Sequence, residues 1–346
     1  MKFSFIIPVY NRSEELRALL ESFAGQRHED DFTYEIIVVD DGSQEDVFSV
    51  VKRFENRLPV VYLRKPNTGP GDSRNKGMQM ARGAYFVILD SDVILPVYYL
   101  RILNALEQEG RLTDLGGGPD TSATEFSDFQ KAVDLVMTSY LTTGGIRGKK
   151  KELTHYVPRS FNMIVKREVF ERTGGFSSMH PGEDPEWVYR AWKQGFRSGF
   201  YPELFVYHKR RIDREAFFKQ MKKFGMARVI LLRKFPEFSS PVFYFPWLYT
   251  AGLFAGISGA VFGYPWLLWL YVWYWAAVLS EFLIKSKSLK ISILGLVLFQ
   301  VQMIAYAWGF GKAFVRIRIG GLPPETAFPE LFFNLKEQSV MRDEKV

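Results

Sequence analysis

The chain has 346 residues, four of them histidine and none cysteine, which excludes disulfides, thiol chemistry and any zinc site that needs cysteine. Its length allows more than one domain, or a domain joined to a membrane part. A net charge of +7 and a pI near 9.3 suit nucleic acid, anionic lipid or phosphorylated substrates, while the mean hydropathy of −0.08 conceals a sharp division along the chain.

The apolar run Phe3–Val9 predicts a buried first strand. Asn11 followed by Glu14 reads as a capping-box-like pair, and Leu16, Leu19, Leu20 and Phe23 continue at helical spacing until Gly25. Residues 35–39 form the second predicted strand, ending in Asp40-Asp41-Gly42-Ser43. A helix over 47–54, a short strand at Val60–Arg64, a loop at 67–71 and a helix over 73–81 carrying Arg74 come next. The strand Tyr85–Leu89 runs into Asp90-Ser91-Asp92. This alternation indicates a doubly wound, mostly parallel α/β layer. A helix over 96–109, a strand over 160–165 and a helix reaching Arg172 extend it, with a basic glycine-containing loop at 142–151 between them. Asp184 precedes Pro185 and an apolar helical pattern, so it reads as an N-cap with proline in the first helical position.

The chemistry follows from where the carboxylates fall. Open α/β sheets bind ligands outside the carboxyl ends of their strands. Asp40-Asp41 and Asp90-Ser91-Asp92 both stand there, and Gly182-Glu183-Asp184 follows later in the chain. Several carboxylates in one crevice need cations or hydrogen-bond donors to hold them. A nucleoside diphosphate with a divalent metal supplies both.

Past residue 211 the composition changes. Over residues 214–235, Phe217, Met221, Phe224, Leu231 and Phe235 share one helical face, with Lys219, Lys222, Lys223, Arg233 and Lys234 elsewhere. That pattern suits a helix lying in the interface of anionic lipid. Pro241 to Ser280 contains no Asp, Glu, Lys or Arg, and neither does Ile291 to Gly311. With about 20 apolar residues per span, the first run holds two spans and the second one. The short basic loop Lys285-Ser286-Lys287-Ser288-Leu289-Lys290 then faces the cytoplasm. If the second run spans, the tail carrying Lys312, Arg316 and Arg318 lies outside, against the charge rule. That end of the topology stays open. The N-terminus lacks the long apolar region of a signal peptide, so the first two hundred residues are expected in the cytoplasm. The expected organisation is a domain over 1–211, an amphipathic interfacial helix region over 212–240, two to three transmembrane helices over 241–311 and a tail over 312–346.

The motifs Phe5-Ile6-Ile7-Pro8-Val9-Tyr10-Asn11-Arg12, Val39-Asp40-Asp41-Gly42-Ser43, Asn67-Thr68-Gly69 with Ser73-Arg74-Asn75, Leu89-Asp90-Ser91-Asp92, Gly174-Gly175-Phe176 and Gly182-Glu183-Asp184 together resemble the family 2 inverting glycosyltransferases of the GT-A fold. The resemblance covers residues 3–211 and rests on the order and spacing of all six. It implies that Pro8 and Tyr10 border the nucleotide base and that Asp41 accepts a hydrogen bond from it, uracil being expected. It implies Arg74 near the diphosphate or bracing the nucleotide site, and Asp90 near the ribose. Asp92 would bind Mg²⁺ or Mn²⁺, with His208 completing the metal shell, and Asp184 would be the catalytic base. The implied activity is metal-dependent transfer from a UDP-sugar to a lipid-linked saccharide or polyprenyl phosphate in cell-envelope or polysaccharide biosynthesis. The enzyme would sit at the inner (cytoplasmic) membrane, with its catalytic domain in the cytoplasm. His28, His155 and His180 carry no implied role.

Inversion needs one base to take the acceptor proton and no general acid, because the departing diphosphate is already a stable anion. A sugar nucleotidyltransferase would share the carboxylates but call for a glycine-rich phosphate loop where Pro8-Val9-Tyr10-Asn11-Arg12 stands. A non-catalytic membrane scaffold keeping the fold is the remaining alternative. Nucleic-acid binding is not expected, since the basic residues gather near the apolar segments and form no recognised module.

Overall fold

The computed structural model describes residues 1–27, 32–121, 127–144, 156–208 and 213–333. His28, His155, residues 145–151 of the basic loop and the Lys209-Arg210-Arg211 cluster lie outside the described residues. The chain divides into two compact units. One is Met1–Ala123, Lys151–Lys209 and Phe332–Val346, and the other is Thr124–Lys150 and Arg210–Leu331.

The first unit is built on β1 (Phe3–Val9), α1 (Ser13–Ala24), β2 (Tyr34–Asp40), α2 (Val47–Lys52), β3 (Val60–Arg64), α3 (Pro70–Met80), β4 (Tyr85–Leu89), β5 (Val93–Ile94), α4 (Tyr99–Gln108), β6 (Leu115–Gly117) and β7 (Asp120–Thr121). In the second unit α5 (Asp128–Thr138) and α6 (Tyr140–Thr143) follow. The chain then returns to the first unit for β8 (Asn162–Lys166), α7 (Arg167–Thr173), α8 (Glu183–Lys193), β9 (Ser198–Phe200) and β10 (Val206–His208). The main sheet runs β3-β2-β1-β4-β8-β6-β9. Strands β1 to β4 pair in parallel, and β8 is antiparallel to both its neighbours. A small second sheet, β5-β10-β7, carries His208 at its end. The central strands are buried on both faces: Phe5 and Ile7 point into one core layer, and Ile6 into the other. That accounts for their continuous apolar runs. The mostly parallel α/β sheet expected from the sequence is therefore present, with strand bounds at β1, β3 and β4 that match the sequence reading.

Two local expectations are corrected. Asn11 does not cap α1, which starts at Ser13 with no side-chain cap bond. Asn11 adopts a left-handed φ of 52°, which Asn tolerates, and its Oδ1 accepts the Gln44 N–H at 2.8 Å, pinning the neighbouring turn. Asp184 is not an N-cap either. Gly182 holds that position and Asp184 sits inside the first turn of α8.

The second unit centres on α12 (Leu289–Ala313), which continues as a π-wound turn over Phe314–Ile319. Around it pack α5, α9 (Arg214–Lys234), α10 (Phe245–Val261) and α11 (Trp266–Ser286), with α13 (Pro324–Ala327) beyond. Neither α5 nor its packing on α12 was foreseen in the sequence. On α9 the expected face is buried at Phe217, Met221, Leu231 and Phe235, but it packs on α12. The contact is close. A Cβ on Gly225 would lie 2.2 Å from the Tyr306 carbonyl oxygen, and one on Gly309 would lie 2.0 Å from that of Lys222. Small residues on both helices let the backbones touch. By length and composition, α11 and the helix Leu289–Ile319 are apolar enough to cross a membrane, and α10 is a shorter apolar helix.

Candidate active site

The sequence-predicted carboxylates fall into three groups, all in the first unit. The first lies at the end of β2. Asp40 is buried and accepts from the Ser43 N–H at 2.8 Å and the Tyr62 hydroxyl at 2.6 Å, so it holds the turn. Asp41 is also buried. Its Oδ1 receives the Thr68 N–H at 2.9 Å and the Lys65 ammonium, and its Oδ2 receives the Gly69 N–H at 3.0 Å. Lys65 reaches Asp72 as well, at 3.1 Å. Asp41 thus ties down the Asn67-Thr68-Gly69 loop, and a carboxylate oxygen accepts about two hydrogen bonds, so Oδ2 keeps room for one more donor. Pro8 ends β1 one residue before its last position, and Tyr10 beyond it is 46% exposed, leaving an aromatic face open to a ligand.

The second group gathers Asp90, Asp92 and His208, each offering one donor atom within 4.8 Å of the others. Asp92 is buried, His208 Nε2 lies 3.2 Å from its Oδ1, and the Arg12 guanidinium grips its Oδ2. His208 Nδ1 faces Asp120 at 3.4 Å, and its ring packs on Phe161. Burial pushes the Asp92 carboxyl up, but His208 and Arg12 outweigh it and hold the pKa at about 2. Asp92 Oδ1 is shut off from solvent and faces His208 Nε2 without a well-aligned hydrogen bond, a pairing that a cation between the two would complete. Two carboxylates and an imidazole fit a divalent first-row ion such as Mn²⁺.

The third group lies at the start of α8. Glu183 is buried between Arg74, at 3.3 Å, and His180, at 2.8 Å. Burial raises its pKa, but His180 and Arg74 reverse that and lower it to about 2. Asp184 goes the other way. Burial, then the adjacent Glu183 charge, raise it to about 6, against Arg74, Arg159 and the Ser160 N–H at 3.2 Å. Its Oδ1 is shut off from solvent and accepts no hydrogen bond among the described residues. Two neighbouring carboxyls driven apart in pKa are the pattern of divided roles. His180, for which no role was expected, is raised in turn: burial lowers it and Glu183 more than compensates.

Arg74 joins the second and third groups. It is buried on α3, donates to Asp90 at 2.8 Å and to Glu183 at 3.3 Å, and stacks over Phe176 at 5.2 Å. The next residue, Asn75, clamps Phe176 through both its backbone groups, at 2.8 and 2.9 Å. Gly175 makes the clamp feasible, because it has φ +77° and a Cβ there would meet Asn75 Oδ1 at 2.3 Å. The Ser73-Arg74-Asn75 motif therefore positions the loop leading to Glu183 and Asp184. Sequence reasoning missed Arg12, Lys65, Asp72, Asp120, Glu183 and His180 as site residues. Glu183 and Arg12 stood inside quoted motifs, whereas Lys65 and Asp120 gave no local signal.

The carboxyl end of β4 thus carries a carboxylate–imidazole cluster, and the start of α8 carries a carboxyl whose pKa is raised to about 6, the pattern of a functional-site candidate. The model of Glycosyl transferase family 2 matches residues 4–174. The chain carries a family 2 glycosyltransferase domain of the GT-A fold, with apolar helices following it. An uncharacterized glycosyltransferase of Rickettsia bellii is 41% identical over 91 residues, 26% of this chain and 13% of that protein. Chondroitin synthase of Escherichia coli is 28% identical over 228 residues, 56% and 33% of the two chains. Glycosyltransferase AglE of Haloferax volcanii is 25% identical over 222 residues, 63% and 70%. The chain thus spans 13% and 33% of the first two relatives' lengths. Among solved structures, the mannosyltransferase PcManGT of Pyrobaculum calidifontis, in complex with GDP-Man and Mn²⁺, is similar in fold. It has a TM-score of 0.57 at 17% identity, covering 90% of this chain and 86% of that one.

Proposed function

We propose that the protein is a membrane-attached, inverting glycosyltransferase that moves a sugar from a nucleotide sugar, UDP-linked in the first instance, to a lipid-linked saccharide or polyprenyl phosphate at the cytoplasmic face of the inner membrane. The observation that carries this reading is the span of Arg74, whose guanidinium links the Asp90 side of the crevice to Glu183, next to Asp184.

In this reading Tyr10 and Pro8 border the base, and the loop held by Asp41 supplies its polar edge. Asp90, Asp92 and His208 would hold a Mg²⁺ or Mn²⁺ ion, which supplies charge neutralisation to the diphosphate. Arg74, held by Asp90 and Glu183, braces the nucleotide side of the site. Asp184 Oδ1 takes the proton of a saccharide acceptor's hydroxyl as that oxygen bonds the anomeric carbon, whereas the oxygen of a phosphate acceptor attacks already ionised. The bond from that carbon to the diphosphate oxygen breaks on the opposite face, and its electron pair leaves with the diphosphate. Glu183 stays ionised, neutralising Arg74 and sustaining the high pKa of Asp184. Fixed charges of this kind stabilise the transition state without reorganising.

The test is to incubate the full-length protein in membranes with a panel of UDP- and GDP-sugars and Mn²⁺, assaying released nucleotide and the mass of lipid extracts. Release of nucleoside diphosphate with a sugar-sized mass gain in a lipid is expected. Release of pyrophosphate, or equal transfer to water-soluble acceptors, counts against the proposal.

A further inference from the structure

We propose that α12 lies flat on the membrane surface, seated on lipid along one exposed apolar stripe, and does not cross the bilayer. The inference rests on the membrane attachment proposed above and fixes its form.

The stripe consists of Ile293, Val297, Ile304, Trp308, Val315 and Ile319, all exposed. Their spacing of four, seven, four, seven and four residues keeps them on one helical face. At 1.5 Å per residue the stripe runs about 39 Å, against a hydrocarbon core of about 30 Å. It extends past Lys312 and alongside Arg316 and Arg318, which would sit awkwardly in a spanning helix.

The neighbours of α12 decide the matter. Its second half runs beside α9, with Gly225 against Tyr306, Gly309 against Lys222, and Arg318 donating to the Leu232 carbonyl at 2.9 Å. Over that stretch α9 carries Glu215, Lys219, Lys222, Lys223 and Arg228. Its first half runs beside α5, where Gly295 approaches the Ala132 carbonyl and Lys290 pairs with Asp128 at 2.7 Å. That helix carries Asp128, Lys131 and Asp134. If α12 crossed, the charged helices α5 and α9 would have to follow it into hydrocarbon, where such groups are among the costliest to place, whereas α10 and α11, which also pack on it and are uncharged up to Ser280, tolerate either placement. Lying flat, α12 keeps α5 and α9 on the wet side and presents the one face neither covers.

Charge agrees with this. From Leu289 to Pro324 the chain has no Asp or Glu, while Lys290, Lys312, Arg316 and Arg318 flank the stripe. Cations bordering an apolar face suit anionic headgroups. Adjoining it, the hairpin of α10 and α11, uncharged up to Ser280, exposes Val261, Phe262, Tyr264, Trp266, Trp269 and Trp273 at and near its tip. Whether that hairpin spans or re-enters, both its ends return to one side. The Lys285–Lys290 loop and the residues after Ile319 then share that side, which removes the conflict with the charge rule.

Because the chain has no cysteine, single-cysteine variants label cleanly. The full-length protein, spin-labelled at Ile293→Cys, Val297→Cys, Ile304→Cys, Trp308→Cys, Val315→Cys or Ile319→Cys, is reconstituted into vesicles of phosphatidylethanolamine and phosphatidylglycerol. Immersion depth is read from oxygen and nickel-chelate accessibility. A shallow, nearly constant depth along the series is expected, together with labelling of Lys287→Cys and Leu322→Cys from the same side by an impermeant maleimide. Depth that peaks near position 304, or labelling from opposite sides, overturns the inference. Dipolar broadening between copies at the stripe also overturns it, since a second copy then covers the face. A Trp269→Cys label separates the two levels: if it is deep while the stripe stays in water, this inference fails and attachment stands; if both are in water, attachment itself fails.

Discussion

The two units place their aromatic residues in opposite ways. In the first, Phe3 stacks with Phe32 and Tyr85, Phe5 meets Phe23 edge-on, and these phenylalanines are shut off from water. In the second, Trp273 is 73% exposed and Phe262 78%, within a run that carries no charge for forty residues (241–280). Isolated exposed apolar residues are ordinary, but a contiguous set on this scale marks a surface made for something other than water. One mean hydropathy therefore averages two proteins-in-one. The first unit is organised by buried charge around a crevice, the second by glycine-lined helix contacts with an apolar exterior.

This contrast is breakable by experiment, because changes in one unit should leave the other's readout alone. The largest effect is expected from Asp184→Asn. Turnover should fall about 10²–10⁴-fold, the range for loss of a positioned base, while the far-UV circular dichroism and vesicle recovery stay as in wild type. Near-normal turnover would remove Asp184 as the base. Next comes the ion cluster. Chelation with EDTA, or Asp92→Asn, should weaken Mn²⁺-dependent UDP binding by about 10–100-fold or more in calorimetry, again without loss of vesicle binding. Metal-independent binding of unchanged strength would dissolve that cluster's proposed role.

In the other direction, Gly309→Leu forces a side chain against the Lys222 carbonyl. It should destabilise the helical unit by about 1–3 kcal/mol, read as a lower thermal midpoint in detergent, with UDP binding intact. Loss of UDP binding in that variant would blur the distinction between the units.

The smallest effect is in pH. Asp184 must be ionised to act, so turnover should rise with pH through about 6 and level off above it. Glu183→Gln removes the neighbouring charge that helps raise Asp184, so the rise should move to lower pH; an unmoved profile means that Asp184 does not set it. The sign for stability is opposite. The folded pKa of Asp184 lies above its ordinary 3.8, so its stabilising contribution is complete below that value and is lost as pH rises through about 6. The difference in thermal midpoint between wild type and Asp184→Asn, followed over that window, measures it.

Much of the fold was legible locally. Strands buried on both faces read as unbroken apolar runs, and β1, β3 and β4 took the bounds their runs predict. The short strands β5, β7 and β10 were not legible, since two or three residues paired across distant segments leave no periodic trace. Helix α5 went unread for a related reason: its apolar face answers to α12, more than 150 residues later. Capping was misread at Asn11 and Asp184, because a polar side chain before a helix pattern signals a cap only if no tertiary partner claims it. Gln44 claims the first, and Ser160 donates to the second.

By itself the sequence determined which residues could carry the chemistry: carboxylates at strand ends, an uncharged stretch for lipid, no thiols. Strand ends and apolar runs are local features, and local sequence encodes them directly. Only the tertiary structure decided what each charge faces. Arg12 reaches Asp92 across 80 positions, and Arg74 reaches Glu183 across 109. Burial then drives Asp184 and Glu183, adjacent in the chain, to opposite pKa shifts. Desolvation and Coulomb energy depend on distance in space, which neighbouring letters in a chain do not record.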